Sequence, residues 1–263
     1  MLYICGTPIG NLEDITLRQL RILKEADLIA AEDTRRSLKL LNYYDITKPL
    51  VSYHHHNRKS KGDYLLDKLR EGLIIALITD GGMPLISDPG AELVSLCRQN
   101  NIPVTTVPGP TAFVSAFILS GFNTEAFSFF GFKSHKELKL LANEEKTMIL
   151  YEAPHRLTKT LKVLKEILGN RKIAIVREIT KIYEESLFFT LEEGIEYYKS
   201  RVPKGEFVIV IEGQKRILEW DISVTEHVNM YLQKGFSEKE AIKLTAKDRN
   251  LPKREVYGIF NCC

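Results

Sequence analysis

Two adjacent carboxylates, Glu32 and Asp33, directly follow the apolar run "DLIAA", which predicts a buried strand. A carboxylate at the end of a strand can accept a proton or bind a ribose hydroxyl. Asp33 also precedes "TRRSLKLL" and fits the N-cap position of a helix, where its side chain would accept a backbone hydrogen bond. The pair is therefore a candidate for acid–base chemistry or hydroxyl binding, with helix capping as the alternative for Asp33.

A second candidate region is "TDGGMPLISDPG", Thr79 to Gly90, which follows the apolar run "LIIALI". Its glycines allow backbone to approach a ligand closely, and its prolines fix the loop. Met83, Leu85 and Ile86 would give a binding cleft apolar walls. The chain contains neither GxGxxG after its first strand nor GxxxxGK[ST], so neither the dinucleotide fingerprint nor the triphosphate loop is present. We expect a ligand with a flat group and few phosphates.

Three further motifs carry polar side chains. "YEAPHR" places Glu152, His155 and Arg156 at a predicted strand-to-helix junction, although Pro154 opening a helix also explains the pattern. Lys204 in "PKGEF" precedes a predicted strand, where a plain turn is the alternative. The run His54–His56 does not favour a metal site, because consecutive side chains of an extended segment point to opposite faces. We predict no metal, and a polar loop near the cleft instead.

The elements that must position these residues alternate between apolar runs and amphipathic stretches over residues 1–121. Continuous apolar runs are typical of strands buried on both faces, and alternation with helices predicts a parallel α/β sheet. In such a sheet, ligands bind at the carboxyl ends of the strands. The loops "GTPIGN", "DTRRS", "TDGGMPLISDPG" and "PGPT" all follow strand candidates. We therefore expect them to line one cleft.

The pattern changes after residue 121, where strand candidates follow one another without an intervening helix. This predicts a second α/β domain with a mixed sheet over residues 122–218. After Trp220 only short helices are predicted, over residues 219–263. Their basic residues fit a small nucleic-acid arm, and Ala241, Leu244 and Val256 fit the alternative of a packed helical tail. The predicted fold class is α/β, with two domains and a C-terminal helical segment.

Composition adds limits on the function. The chain has 263 residues, 44% of them hydrophobic, and a net charge of +3, which does not by itself indicate nucleic-acid binding. No apolar run reaches the roughly 20 residues that span a bilayer. The four cysteines form no CxxC motif, and no basic-then-apolar leader precedes "LYIC", so we expect a cytoplasmic protein without a membrane role.

Seven ordered motifs carry a resemblance to a known family. They are "GTPIGNLEDITLRQLRILKEADLIAAEDTR", "SYHHHN", "PLISDPG", "VPGPTA", "YEAPHR", "REITKIYEE" and "KGEF", and the match runs from Leu2 to Gly213 and more weakly beyond. The chain resembles S-adenosylmethionine-dependent methyltransferases of the tetrapyrrole methylase superfamily that methylate the 2′ hydroxyl of a cytidine in 16S ribosomal RNA of the small subunit. The resemblance implies two α/β domains with the cofactor in the cleft between them, and a homodimer.

Site residues follow from the resemblance and from the chemistry it implies. Cofactor contacts fall on Pro8, Gly81, Gly82, Met83, Ile86, Thr111, Ala112, Tyr151, Glu152 and Ile179, and we expect Asp80 to face the same cleft. The ribose hydroxyl must lose a proton, for which Glu32, Asp33, Asp88 and His155 are the candidates, while Asp88 capping a helix is the alternative for that residue. Arg35, Arg156 and Lys204 are candidates for RNA phosphate contacts, with the C-terminal basic helices as an outer clamp.

Two other functions remain open on the sequence. One is methylation of a tetrapyrrole or another small molecule by the same fold. The other is a non-catalytic RNA- or protein-binding module. Binding of S-adenosylmethionine separates the enzymes from the binding module, and the methylated product separates the two enzymes.

Overall fold

The computed structural model describes residues 1–214 and 222–261. The chain divides into two compact units, Met1–Gly213 and Gln214–Cys263. Trp220 and the boundary predicted between residues 218 and 219 lie outside the described residues.

The first sheet of the first unit is entirely parallel, with strand order β3-β2-β4-β1-β5. Its strands are β1 (Leu2–Cys5), β2 (Leu28–Ala31), β3 (Leu50–Ser52), β4 (Ile75–Ile78) and β5 (Val104–Val107), and its helices are α1 (Leu17–Glu25), α2 (Thr34–Tyr43), α3 (Arg58–Arg70), α4 (Ala91–Gln99) and α5 (Ala112–Ser120). The chain order reverses between β1 and β4, so the loops after these two strands flank the point where ligands bind in open α/β sheets.

Both faces of this sheet are buried, which explains the continuous apolar runs. Along β4, Leu77 packs in one cluster with Leu2 and Leu93, whereas the next residue, Ile78, packs in a different cluster. Successive side chains of a strand point to opposite faces, so each run supplies two hydrophobic layers. This confirms the predicted parallel sheet.

The second sheet is mixed, with strand order β6-β7-β10-β8-β9. β6 is parallel to β7, and the other neighbours are antiparallel. Its elements are β6 (Phe127–Phe132), β7 (Thr147–Glu152), α6 (Leu157–Leu168), β8 (Lys172–Arg177), β9 (Glu185–Thr190), α7 (Leu191–Tyr197) and β10 (Phe207–Ile211). The predicted mixed sheet is confirmed.

Helix α5 joins the two sheets. Its residues Ala116 and Phe117 are buried in a cluster with Ile149, Val176 and Val208 of the second sheet. The helix ends at Ser120, followed by Gly121 in the left-handed conformation. Because both halves belong to one compact unit, the separate domains 1–121 and 122–218 stay a prediction.

The second unit contains α8 (Val224–Gln233), α9 (Glu238–Asp248) and α10 (Lys253–Asn261) in its described part. Val228, Ala241 and Val256 lie in its buried cluster. The Arg249 guanidinium donates to the Nδ1 atom of His227 at 3.1 Å and to the backbone carbonyl of Ser223 at 3.0 Å. The apolar packing expected of these helices is therefore present, and Arg249 binds within the unit. Among the described residues, no helix is long and apolar enough to cross a membrane.

Candidate functional site

The loops after β1 and β4 are joined by backbone hydrogen bonds. Thr7 donates its N–H to the carbonyl of Gly82 at 2.9 Å, and Gly82 donates its N–H to the carbonyl of Thr7 at 2.9 Å. The N–H and the carbonyl of Gly82 are therefore both paired within the protein. Gly82 has φ +90°, a conformation that L side chains rarely adopt, so the glycine is required by the turn itself.

The loop after β5 reaches the same place through two glycines. A Cβ atom on Gly6 would lie 2.8 Å from the Cα atom of Gly109 and 2.5 Å from the sulfur of Met83. Because these separations are too short for a side chain, the two backbones can approach only as glycines. Neither "GTPIGN" nor "PGPT" predicts this contact from its own residues. The loops after β1, β4 and β5 thus converge as expected, through contacts of their own backbones.

The loop Thr79–Gly90 contains two non-glycine residues in the left-handed region, Leu85 at φ +74° and Ser87 at φ +66°. Such conformations cost about 1–3 kcal/mol each and persist where the surrounding structure holds them. Residues of this kind concentrate at ligand sites and switch regions. Leucine and serine rarely adopt a positive φ, so the left-handed conformation of these two residues was not predictable from the sequence.

A cavity of about 690 Å³ lies at the ends of these loops, within the range of small-molecule sites. The second sheet completes its wall through β7, β8, β10 and the segment after β8. All the residues predicted to contact a cofactor line it: Pro8, Asp80, Gly81, Gly82, Met83, Ile86, Thr111, Ala112, Tyr151, Glu152 and Ile179. Asp88 lines it as well.

Other predicted site residues do not line this cavity: Glu32, Asp33, His155, Arg35, Arg156 and Lys204. The Asp33 carboxylate accepts the backbone N–H of Arg35 at 2.9 Å, so Asp33 caps α2, as the alternative interpretation held. His155 and Lys204 are exposed. Asp88 caps no helix, because α4 begins at Ala91 with Gly90 at its N-cap, so the helix-capping alternative for Asp88 was wrong.

The structure adds cavity residues that the sequence analysis missed, chiefly on α2. Arg36, Lys39, Leu40 and Tyr43 line the cavity, and their spacing of three or four residues places them on one helical face. The periodicity of "TRRSLKLLNYY" predicts a helix, but it does not indicate which face of that helix lines the cavity. Lys181 also lines the cavity, held by Glu178 at 3.0 Å and Glu206 at 2.8 Å.

Asp88 carries the most perturbed carboxyl group of the cavity. Burial, with a further contribution from the charges of Glu32 and Asp80, raises its pKa to about 7. Burial also raises the pKa of Glu32, and the charge of Asp80 adds to this effect. A carboxyl with a pKa near neutrality exchanges a proton readily at physiological pH. Asp88 therefore combines a place in the cavity wall with the properties of an acid–base group.

Asp80 is fixed by bonds to α2. One carboxylate oxygen accepts the backbone N–H of Asp33 at 3.1 Å, and the other accepts from the Arg36 guanidinium at 3.1 Å. These bonds tie the loop after β4 to the start of α2. Asp80 faces the cavity as expected, yet much of its hydrogen-bonding capacity is used to position Arg36.

Glu152 is a buried carboxylate, with 4% of its surface exposed. It forms an ion pair with the Nε atom of Arg156 at 3.3 Å, and it accepts hydrogen bonds from the backbone N–H of Ala153 at 2.8 Å and from the Thr160 hydroxyl. Arg156 also donates to the carbonyl of Lys133. Burying a carboxylate is costly unless such partners are present. The motif "YEAPHR" thus builds a strand-to-helix junction whose arginine is engaged inside the protein.

Tyr151 connects this junction to α5. Its hydroxyl oxygen accepts the backbone N–H of Phe113 at 3.2 Å, and its ring contacts that of Phe132 at a centroid distance of 5.4 Å. Burial raises the pKa of Tyr151 to about 12, so the phenol is neutral at physiological pH. The residue provides a fixed, uncharged wall beside Asp88.

The donor set fits an organic cofactor of mixed polarity. Met83 and Ile86 supply apolar surface, while Asp80 and Asp88 supply carboxyl groups whose negative charge suits a cationic centre such as a sulfonium. Within the described residues, no group of three or more His, Cys, Asp or Glu side chains is arranged to hold a metal ion.

Comparisons with known proteins agree with this architecture. The family model of the Tetrapyrrole (Corrin/Porphyrin) Methylases matches residues 1–194 of the chain. The chain is 49% identical to ribosomal RNA small subunit methyltransferase I of Halalkalibacterium halodurans and 46% identical to that of Bacillus subtilis, each alignment covering 99% of this chain and 94% of the relative.

A solved structure shares the fold at lower identity. Uroporphyrin-III C-methyltransferase from Thermus thermophilus, complexed with S-adenyl homocysteine, superposes with a TM-score of 0.60 at 21% identity, covering 80% of this chain and 96% of that chain. This likeness concerns the fold alone. Together with the extent of the sequence matches, it leads to one conclusion: the chain belongs to the tetrapyrrole methylase family and, within it, to the ribosomal RNA small subunit methyltransferase I proteins.

Proposed function

We propose that the protein transfers a methyl group from S-adenosylmethionine to the 2′ hydroxyl of a cytidine in 16S ribosomal RNA of the small ribosomal subunit. The observation that carries this proposal is the cavity of about 690 Å³ lined by every residue expected to contact the cofactor. The ribosomal RNA substrate rests on membership of the family, whose relatives are named as ribosomal RNA small subunit methyltransferases.

The cofactor would be held by the loops at the edge of the first sheet and by the facing strands. Pro8, Gly81 and Met83 offer backbone groups and apolar contact, while Thr111 and Ala112 begin α5. Tyr151, Glu152 and Ile179 close the cavity from the second sheet. When bound, S-adenosylmethionine supplies a methyl group on a positively charged sulfur that leaves as a neutral thioether.

Since this leaving group needs no proton, the chain's own tasks are alignment and removal of the hydroxyl proton. Asp88 is the proposed base, because it lines the cavity and has a pKa near 7. The negative charge of Glu32 contributes to this role, because it raises the pKa of Asp88. The proposal assigns no proton transfer to Asp33, which caps α2, or to His155, which does not line the cavity.

Contacts to RNA phosphates are proposed for exposed cations around the first unit. Arg35 and Lys204 are exposed, and neither lines the cavity. Arg156 is a weaker choice, since its guanidinium already binds Glu152 and Lys133. Lys243, Lys247, Lys253 and Arg254 are exposed on the second unit and are proposed as an outer clamp, whereas Arg249 is engaged within that unit.

We further propose a cytoplasmic homodimer. The resemblance implies the dimer, and the exposed apolar side chains of α5, Val114, Ile118 and Leu119, offer a surface that a second copy would cover. β5, the preceding strand, is an edge strand of its sheet, and edge strands need protection from uncontrolled pairing. The two features lie on consecutive elements.

The proposed activity is tested by incubating the purified protein with labelled S-adenosylmethionine and, separately, with small ribosomal subunits, free 16S RNA and a tetrapyrrole. Label in a cytidine 2′-O-methyl group is the expected result. Label in the tetrapyrrole and none in RNA would replace the proposal with small-molecule methylation. Absence of saturable cofactor binding by calorimetry would favour a non-catalytic module.

A further inference from the structure

One face of α2 forms a wall of the cavity that the cofactor residues do not account for. Arg36, Lys39, Leu40 and Tyr43 all line the cavity. The predicted cofactor contacts lie instead on the loops after β1, β4 and β5 and on the second sheet. This α2 face is therefore available to a second ligand beside the cofactor.

Tyr43, the aromatic residue that α2 contributes to the cavity, has 63% of its surface exposed. Its neighbour Tyr44 packs against it edge to face, with ring centroids 4.9 Å apart at 84°. The Tyr44 hydroxyl donates to the carbonyl of Leu12 at 2.5 Å, which anchors Tyr44 to the loop after β1. An exposed ring supported in this way presents a prepared surface for stacking.

Positive charge adjoins this ring along the helix. Lys39 lies one turn before Tyr43, is exposed and has no ion pair within the described part of the chain. Arg36 lies one further turn away, and Asp80 fixes its guanidinium at 3.1 Å. An aromatic ring with cations on the same helical face is the combination that binds single-stranded nucleic acid, since bases stack on the ring and phosphates contact the cations.

We propose that this α2 face holds the RNA nucleotide that receives the methyl group, with its base stacked on Tyr43 and a flanking phosphate at Lys39. The inference rests on the proposed function and adds the position of its substrate. Tyr43 is a positioning residue in this scheme. The helix places the nucleotide in the cavity that Asp80 and Asp88 also line.

The test compares Tyr43→Ala and Tyr43→Phe with the wild-type protein in methyl transfer to small subunits or 16S RNA. Loss of one stacked base is expected to raise the KM for RNA about 5- to 150-fold. Tyr43→Phe keeps the ring and should stay within about threefold of wild type. The dissociation constant for S-adenosylmethionine, measured by calorimetry, should be unchanged in both variants, which also confirms that they are folded.

Tyr64→Ala provides a matched control. Tyr64 is an exposed tyrosine on α3 with Lys61 5.3 Å from its ring, and it does not line the cavity. Its removal should leave the KM for RNA unchanged.

A second variant, Lys39→Ala, should reduce the slope of log affinity against log salt by about 1, because one phosphate contact is lost.

Three outcomes would overturn the inference. If the wild-type protein methylates RNA and Tyr43→Ala has the same KM for RNA, Tyr43 does not belong to the substrate site, and the proposed function stands. A weaker affinity for S-adenosylmethionine with unchanged RNA affinity would assign the α2 face to the cofactor. A wild-type protein that methylates no RNA would remove both the proposed function and the inference.

Discussion

At the scale of single residues, burial and neighbouring charge give Asp88 properties that Asp33 lacks. Asp33 accepts hydrogen bonds from Arg35, which lower its pKa. Burial of Asp88, together with the charges of two neighbouring carboxyls, raises its pKa to about 7. Two aspartates of equal standing in the sequence thus acquire opposite roles, one as a helix cap and the other as an acid–base candidate.

Substitution of Asp88 by Asn tests this role through the pH dependence of the rate. The wild-type kcat should rise as the pH increases through about 7, because the proton-accepting carboxylate is then populated. Asp88→Asn should lose this rise and lower kcat at pH 8 by about 100- to 10 000-fold. Asp67→Asn, on the exposed surface of α3, should retain the wild-type profile.

The same substitution has the opposite effect on stability. The folded-state pKa of Asp88 lies above its ordinary value of 3.8, so the folded protein holds this proton more tightly than the unfolded chain does. The associated stability is present below about pH 4 and is lost as the pH rises through about 7. At pH 8 Asp88→Asn should therefore stabilise the protein by about 1–2 kcal/mol in urea unfolding, after allowance for partial exposure.

Arg156 was a candidate for an RNA phosphate contact, but its guanidinium binds Glu152 and the carbonyl of Lys133 within the protein. Arg156→Ala should lower the free energy of unfolding by about 2–4 kcal/mol, because the buried Glu152 carboxylate loses its cation. Lys204→Ala, at an exposed side chain, should leave it unchanged. Equal unfolding midpoints in urea for the two variants would contradict the structural role of Arg156.

At the scale of elements, the cavity depends on pairing between loops. The bridge between Thr7 and Gly82 and the contact between Gly6 and Gly109 bring the ends of β1, β4 and β5 together. The alternation of strand and helix patterns predicts a parallel sheet, and in a parallel sheet the loops after the strands share one edge. This alternation does not predict which glycines touch one another, because their partners lie more than 70 residues away in the chain.

Gly82→Val tests whether this pairing supports cofactor binding. The matched control is Gly72→Val, since Gly72 has φ +95° but no atom within 4 Å of its added Cβ. Both variants should lose about 1–3 kcal/mol of stability through backbone strain. Only Gly82→Val should weaken S-adenosylmethionine binding, by about tenfold or more in calorimetry. Unchanged affinity in folded Gly82→Val would make the loop a mere connection.

At the scale of the whole molecule, α5 unites the two sheets and also exposes apolar surface. One side packs Ala116 and Phe117 against the second sheet, while Ile118 is 69% exposed. A helix that is apolar on all sides is typical of burial. The proposed second copy would provide that burial for the exposed side.

Ile118→Lys should therefore shift a dimer toward monomer in analytical ultracentrifugation, since a charge would be buried at the interface. Val202→Lys is the control, because Val202 is an exposed apolar residue outside α5. Sedimentation of Ile118→Lys as a dimer indistinguishable from wild type would exclude this face as the interface.

The cofactor contacts that line the cavity were inferred from the family resemblance, whereas the pattern of apolar and turn residues predicts the two sheets and the loops at their edge. These follow from hydrophobic period and from local turn residues, which act over a few positions of the chain. Only the tertiary structure decided that Asp33 caps α2, that Arg36 faces the cavity in place of Arg35, and that Leu85 and Ser87 adopt left-handed backbone. The Asp33 cap is a local bond to Arg35, one of two roles that the sequence left open. Arg36 is held by Asp80, 44 residues away in the chain, and side-chain spacing within one segment does not specify such a partner.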